Sequence, residues 1–173
     1  MLTLGLSSHD LEGGGVAQHY LIHTDKWKAL PPPPTVSYGG RGCVLDSKKF
    51  FSFYLEKTDQ FYLKVESLQI GLEQEWRILQ PLKLYPKIFS YEVLPFEGGI
   101  LVFGADSASL ATSFRVSEDG KVVRENRQKF EPLKCHLQSV WRVGKKKLEL
   151  HFVGSSFQKS INVLFDGKKW LLL

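Results

Sequence analysis

Short apolar stretches separated by turn residues occur along the whole chain. Residues 112–117 and 148–150 alternate between apolar and polar side chains, which is typical of strands. Residues 100–104 form a short continuous apolar run, which is typical of a buried strand. The pair Asp119-Gly120 follows one of the alternating stretches, and Asp-Gly favours tight hairpin turns. These patterns predict an all-β protein of short antiparallel strands.

An aromatic residue followed three positions later by leucine occurs four times in the chain. The aromatic positions are 49, 54 and 40 residues apart. Internal similarity at roughly 40–50 residues is typical of propeller blades or solenoid units. Strand-like runs joined by short turns lie between the marks, and four such strands make one blade of a propeller. The four marks are Trp27/Leu30, Trp76/Leu79, Phe130/Leu133 and Trp170/Leu173.

The strand pattern divides the chain into blade-like units at residues 1–34, 35–84, 85–134 and 135–173. The first unit has no residues for a first strand, so we expect three complete blades and one incomplete blade. Helical signals are weak: residues 70–78 could form a turn or two, but Gly71 argues against it. The predicted strands are 2–6, 16–22 and 27–30; 41–45, 50–55, 61–68 and 76–79; 88–94, 100–104, 112–117 and from 122 onward; and 137–143, 148–154, 160–165 and 170–173.

Laid out in this way, the units resemble kelch repeats, in which a hydrophobic strand ends in a glycine doublet and the blade closes on Trp-x-x-Leu-Pro. Residues 100–105 match the doublet strand with alanine as the second small residue, and residues 152–155 match it more weakly. The segments that start at Trp27 and Trp76 match the blade ending. Asp166-Gly-Lys-Lys-Trp is similar to the turn before the tryptophan. The resemblance implies a partial kelch-like β-propeller.

The resemblance also implies a function. Kelch-like propellers suggest a non-catalytic protein–protein interaction module with an adaptor or scaffold role, and no cofactor. In the family, the start of the first strand and the loop after the second strand line the binding face. Carried over by position, the residues that would bind a partner are Tyr38, Arg41, Asp106 and Ser107.

Two questions of architecture stay open at this level. The same strands and turns could form an open or sandwiched antiparallel sheet instead of blades. Propellers typically close with four to eight blades, and this chain offers three and a part. We therefore expect a fragment of a longer product, an assembly with another copy, or an open arc with exposed edges.

The formal charge of +5 and the pI near 9.1 raise nucleic acid as a partner. The basic residues are scattered, however, and the longest cluster, residues 145–147, predicts a solvated hairpin tip. A basic stripe interleaved with exposed aromatics would favour nucleic acid, and we find none. We therefore rank nucleic acid below another protein as the partner. No apolar run is long enough to span a bilayer and no basic leader is present, which predicts a cytoplasmic protein with no membrane association.

The residue types that carry chemistry show no pattern that predicts a catalytic, metal or cofactor site. His19 and His23 lie on one face of a predicted strand, but nothing nearby supplies the further ligands that a metal needs. Cys43 and Cys135 have no metal or redox spacing, so we predict small buried residues. An all-β small-molecule-binding or enzyme domain is the alternative to a protein-binding module.

The recurring tryptophans are predicted to be core residues. Trp27, Trp76 and Trp170 recur in register with the leucines, which favours packing of each blade onto the next. A buried indole N–H needs a hydrogen-bond partner. On this hypothesis, Trp76→Ala lowers the free energy of unfolding by about 3–5 kcal/mol.

Overall fold

The computed structural model describes residues 2–5, 16–35, 40–46, 48–57, 61–71, 74–83, 88–106, 110–129, 135–154 and 160–173. Within these ranges the chain forms sixteen β-strands and no helix. The strands are β1 Leu2–Gly5, β2 Val16–Leu21, β3 Lys26–Leu30, β4 Arg41–Leu45, β5 Lys49–Lys57, β6 Phe61–Gln69, β7 Trp76–Ile78, β8 Leu82–Lys83, β9 Ile88–Phe96, β10 Gly99–Asp106, β11 Leu110–Val116, β12 Val122–Lys129, β13 Cys135–Gly144, β14 Lys147–Gly154, β15 Ser160–Phe165 and β16 Trp170–Leu172.

The strands form four antiparallel sheets, one in each predicted unit. Sheet 1 is β1-β2-β3, sheet 2 is β4-β5-β6-β7 with β8 also paired to β6, sheet 3 is β9 to β12, and sheet 4 is β13 to β16. In every sheet, strands that follow each other in sequence are neighbours, apart from β8. The prediction of an all-β chain is confirmed. The described strands lie close to their predicted positions, and the incomplete first blade stays a prediction.

Two details differ from the predicted pattern. Strand β9 continues through Pro95 to Phe96, so the turn lies at Glu97 and Gly98, which have φ angles of 49° and 70°. The short strand β8 was not predicted, because two residues are too few to show a period. The mark at Phe130 and Leu133 lies outside the described residues.

The sheets stack in sequence order through three hydrophobic cores. Sheet 1 and sheet 2 share a small core in which Leu30 contacts the residues around Phe50 and Leu68. Sheets 2 and 3 share the second core, and sheets 3 and 4 share the third. The first strands of consecutive sheets also approach each other, since β9 contacts both β4 and β13. Each middle sheet therefore buries both of its faces.

Two tight turns, one in sheet 3 and one in sheet 4, each pack against the preceding sheet. Gly120, in the β11–β12 turn, has a φ of +83°, and a Cβ added there would lie 2.9 Å from Cβ of Leu79. Gly167, in the β15–β16 turn, has a φ of +88°, and an added Cβ would lie 3.0 Å from the ring of Phe96. Glycine is required at such a position because the backbone is left-handed and the neighbouring sheet is in contact.

The mark aromatic-x-x-Leu places its two residues on opposite faces of a sheet, because positions i and i+3 of a strand point in opposite directions. Trp76 packs back against the core shared with sheet 1, whereas Leu79 packs forward against the core shared with sheet 3. In sheet 4, Trp170 packs back onto sheet 3, whereas Leu173 is exposed. The aromatic residue therefore contacts the preceding sheet and the leucine the following one.

The prediction that Trp27 is a core residue is wrong. Leu30 of the same mark is buried against sheet 2, but Trp27 is 49% exposed. By the same alternation, Trp27 lies on the face of sheet 1 that no described sheet covers. Its ring contacts Tyr20 across the strand pair, with 5.0 Å between the ring centroids.

The different burial of two tryptophans with the same motif gives a first testable prediction. Trp76 is half-buried, and its indole N–H donates to the carbonyl oxygen of Pro31 at 2.8 Å. We expect Trp76→Ala to lower the free energy of unfolding by about 2 kcal/mol, less than for complete burial. The matched change Trp27→Ala should cost less than about 1 kcal/mol, because the site is exposed. Urea unfolding of both variants measures the difference, and equal losses would contradict the assignment.

Candidate functional site

Of the residues carried over from the family resemblance, Arg41 and the backbone of Asp106 lie at the end of the sheets where β4 and β9 begin. Arg41 starts β4, and its Nε donates to Oε1 of Glu92 on β9 at 2.9 Å. Asp106 ends β10, and its side chain lies outside the described residues, as do Tyr38 and Ser107 altogether. Arg41 therefore bridges sheets 2 and 3, and its role in binding a partner stays a prediction.

The opposite end of the sheets, which we call the hairpin end, holds the turns near residues 46 and 48, 97–98, 117–121, 145–146 and 166–169. A cavity of about 430 Å³ opens there between sheets 2 and 3. Its volume lies within the range of small-ligand and side-chain pockets. The lining residues are Lys49, Ser67, Gln69, Glu75, Arg77, Leu79, Glu118 and Asp119.

Sheet 2 supplies one wall of this cavity through side chains on a single face. Lys49 on β5 is directly opposite Gln69 on β6, and Ser67 is directly opposite Arg77 on β7. Ser67 is only 4% exposed, so its position is fixed by the packing around it. Phe51 lies two positions after Lys49 on β5, so both side chains point to the same face of sheet 2, and Phe51 belongs to the second hydrophobic core. The cavity therefore lies beside that core and is lined mainly by polar side chains.

The β11–β12 turn supplies the opposite wall. Glu118 Oε2 lies 3.5 Å from Lys49 Nζ, which joins the two walls by an ion pair. Asp119 accepts a hydrogen bond from the hydroxyl of Ser117 and pairs with Lys121. The Ser117 hydrogen bond, followed by the Lys121 contact, lowers the pKa of Asp119 to about 2. Asp119 is therefore an anion at neutral pH.

The cavity offers fixed charges of both signs. Lys49 and Arg77 lie on the sheet wall, while Glu118 and Asp119 lie on the turn. An ionised carboxylate with so low a pKa accepts hydrogen bonds but holds no proton to donate near neutral pH. The arrangement suits recognition of a ligand that carries charged groups of its own.

The sequence pattern did not draw attention to these residues. They are polar side chains at strand ends and in a turn, where exposed polar residues are ordinary. Their convergence depends on the docking of Gly120 on Leu79, which brings the turn of one unit onto the sheet of another. The Asp-Gly pair was the one available signal, and it indicates a turn without indicating what the turn contacts.

The other residues considered for chemistry lie apart from the cavity. Cys43 is buried in the second core, and this burial raises the pKa of its thiol to about 12, which makes it unreactive. The prediction of a buried residue is therefore confirmed for Cys43, while the side chain of Cys135 lies outside the described residues. His23 is exposed in the β2–β3 turn. His151 contacts the side chain of Asn162 on the outer face of sheet 4.

Two turns at the hairpin end of sheet 4 carry lysines. Residues 145–147 form an exposed hairpin tip, as predicted, and residues 168–169 lie in the neighbouring turn. Because β14 and β15 are paired, the two tips lie side by side, and the clustering of their charges was not evident from the sequence. Lys146 Nζ pairs with Oε1 of Glu97 on sheet 3 at 3.3 Å. These lysines therefore border the boundary between sheets 3 and 4.

Within the described residues, no group of three or more histidine, cysteine, aspartate or glutamate side chains could hold a metal ion. Across the same residues, no helix combines the length and the apolar content that crossing a bilayer would need. No protein-family model matches the chain, and no curated protein matches its sequence.

Proposed function

We propose that the chain is a non-catalytic protein-binding module built from kelch-like propeller blades. It acts as an adaptor or scaffold in the cytoplasm, and the charged cavity between sheets 2 and 3 receives a segment of the partner. The observation that carries this proposal is the cavity itself, whose walls come from two sheets and present fixed charges of both signs.

The arrangement of the sheets supports blades over a sandwich. A sandwich packs two sheets around one core, whereas here four meandering sheets follow one another through three cores. The contacts of β9 with β4 and β13 fit first strands that converge on a common axis. The glycines 120 and 167 lie in equivalent turns of sheets 3 and 4, and each contacts the preceding sheet.

The charges of the cavity support a peptide ligand with an acidic group. Lys49 is already paired with Glu118, so Arg77 is the stronger candidate for an incoming carboxylate. Glu75 and Asp119 lie within the same cavity and would accept hydrogen bonds from a neighbouring basic side chain or from backbone N–H groups. A peptide segment with an acidic residue close to a basic one would form ion pairs with both walls of the cavity.

Selection from a random peptide display library tests this proposal. Peptides selected on the wild-type protein should carry acidic and basic residues close together, and should bind Arg77→Ala at least about tenfold more weakly, which is the usual cost of a lost charged hydrogen bond. Lys28→Ala removes an exposed lysine of sheet 1 instead and should leave binding unchanged. The proposal is wrong if no selected peptide distinguishes Arg77→Ala from Lys28→Ala.

A small-molecule binder is the second candidate function, because a cavity of about 430 Å³ would also enclose a small zwitterion. A thermal-shift screen with free amino acids separates the two. Stabilisation by a free amino acid that disappears in Arg77→Ala would favour the small molecule over the peptide.

A further inference from the structure

The stack of sheets has a direction. In sheet 2 the aromatic residue of the mark, Trp76, faces the preceding sheet and its leucine, Leu79, faces the following one, and Trp170 in sheet 4 likewise faces the preceding sheet. The described stack therefore ends in two different faces. One is the back face of sheet 1, and the other is the front face of sheet 4.

The back face of sheet 1 carries an aromatic pair, of which Trp27 is exposed and Tyr20 is half-buried. The register places Tyr20 opposite Trp27, and Gln18 opposite Ala29, on the side away from sheet 2. Trp27 occupies the position of Trp76 and Trp170, which both pack against a preceding sheet. This face thus presents to solvent the residue that elsewhere in the chain joins one sheet to another.

The front face of sheet 4 carries a cross-strand row of three apolar side chains and one acidic side chain, Glu149. Trp141, Glu149, Leu164 and Leu171 are consecutive cross-strand neighbours on β13 to β16, on the side away from sheet 3. Trp141 and Leu171 are each 52% exposed. In sheets 2 and 3 the corresponding face is covered by the next sheet.

We propose that the front face of sheet 4 binds the back face of sheet 1 of a second copy of this chain. Two copies joined in this way at both junctions would form a closed ring of eight sheets, within the range of four to eight blades that propellers use. The proposal rests on the propeller-type arrangement proposed above. It does not depend on what the cavity between sheets 2 and 3 binds.

Continuity with the existing junctions favours a second copy as the occupant. The three junctions within the chain join a front face to a back face, so the two terminal faces are of complementary type.

The estimated area of the two terminal faces favours a ring with two junctions over a dimer with one junction. Strands about 4.8 Å apart and about six residues long give a four-stranded face of about 400 Å² and a three-stranded face of about 300 Å². One junction buries two such faces, and a ring of two copies has two junctions, which gives a total of about 1,400 Å². That total lies within the range of specific stable interfaces, whereas one junction alone lies below it.

Light scattering after size-exclusion chromatography gives the first test. The wild-type protein should elute with twice its chain mass of 19.7 kDa. Trp27→Glu and Trp141→Glu should each give a monomer, because either change places a charge in both junctions of the ring. Ile78→Glu changes a residue that is 66% exposed on the edge strand β7 and should leave the dimer intact. A wild-type monomer at tens of micromolar would overturn the proposal.

Cross-linking gives the second test, because it detects which faces meet even when a junction is weak. Tyr20→Cys and Leu171→Cys proteins, each with Cys135→Ser, are treated alone and then mixed with a short bis-maleimide. Only the mixture should yield a covalent dimer, because the front face of one copy meets the back face of the other. Cross-linking of either protein with itself would instead indicate like faces in contact and would refute the head-to-tail arrangement.

Peptide binding separates this proposal from the proposed function. The monomeric variants Trp27→Glu and Trp141→Glu should bind peptides selected on the cavity as the wild-type protein does, because neither residue lines the cavity. Loss of the dimer with retained peptide binding therefore supports the ring junction. A wild-type monomer that still binds these peptides would overturn the ring while leaving the cavity function intact.

Discussion

Replacing Phe103 by alanine is expected to lower the free energy of unfolding by about 3–5 kcal/mol, the usual range for truncating a fully buried aromatic residue. Phe103 on β10 is 0% exposed and belongs to the core between sheets 3 and 4. Its ring meets Phe165 and Trp170 edge to face, with centroid distances of 5.3 and 5.7 Å. The truncation would therefore leave a cavity between two sheets and remove two aromatic contacts at once.

Urea unfolding followed by far-ultraviolet circular dichroism measures this loss. Leu172→Ala on β16 is the control, because Leu172 is 65% exposed and its truncation should change stability by no more than about 0.5 kcal/mol. A loss below about 1 kcal/mol for Phe103→Ala would mean that sheets 3 and 4 do not share this core.

The positions of the strands could be predicted because strand patterns are local. Residues 100–104 read as a buried strand, and in the structure Ile100 and Val102 face sheet 2 while Leu101 and Phe103 face sheet 4. On β14, Leu148 and Leu150 are buried while the residues between them are not, which fits a strand with one covered face. Such periods depend only on the alternation of side chains along the backbone.

Which face each sheet buries could not be predicted, because it depends on the neighbouring sheet. Trp27 and Trp76 carry the same motif, yet one is exposed and the other packs against the core shared with sheet 1. The motif was interpreted as one core unit, whereas its two residues point to opposite faces of the strand. Both residues of the mark are covered in sheet 2, which lies between two others, and one is left exposed in each terminal sheet.

The cavity was not predictable for a related reason. Lys49 and Glu118 are 69 residues apart in sequence and meet only because the β11–β12 turn docks on sheet 2. A single sequence shows strand periods and turn pairs, but it does not show which turn reaches which sheet. Glu66 illustrates the same limit: it lies in an alternating strand, is 1% exposed, and accepts a hydrogen bond from the hydroxyl of Tyr54 at 3.1 Å.

Gly120→Ala is expected to lower the free energy of unfolding by about 2–5 kcal/mol. The left-handed backbone costs alanine about 1–2 kcal/mol, and forcing an extra methyl group into a packed contact costs about 1–3 kcal/mol more. Gly120 has a φ of +83°, and the new Cβ would lie 2.9 Å from Cβ and 3.0 Å from Cδ1 of Leu79. The substitution would therefore push the turn away from sheet 2 and widen the cavity whose wall it forms.

Gly98→Ala is a matched control, because Gly98 has a φ of +70° and no atom within 4 Å of the position of an added Cβ. It should show only the backbone cost of about 1–2 kcal/mol. The difference between the two variants measures the docking of the turn on Leu79, and Leu79→Gly should reduce that difference, because it removes both Cβ and Cδ1, the two atoms that the methyl group approaches most closely. If Gly120→Ala and Gly98→Ala lose equal stability, the turn does not press on sheet 2. The cavity would then lack the wall that carries Glu118 and Asp119.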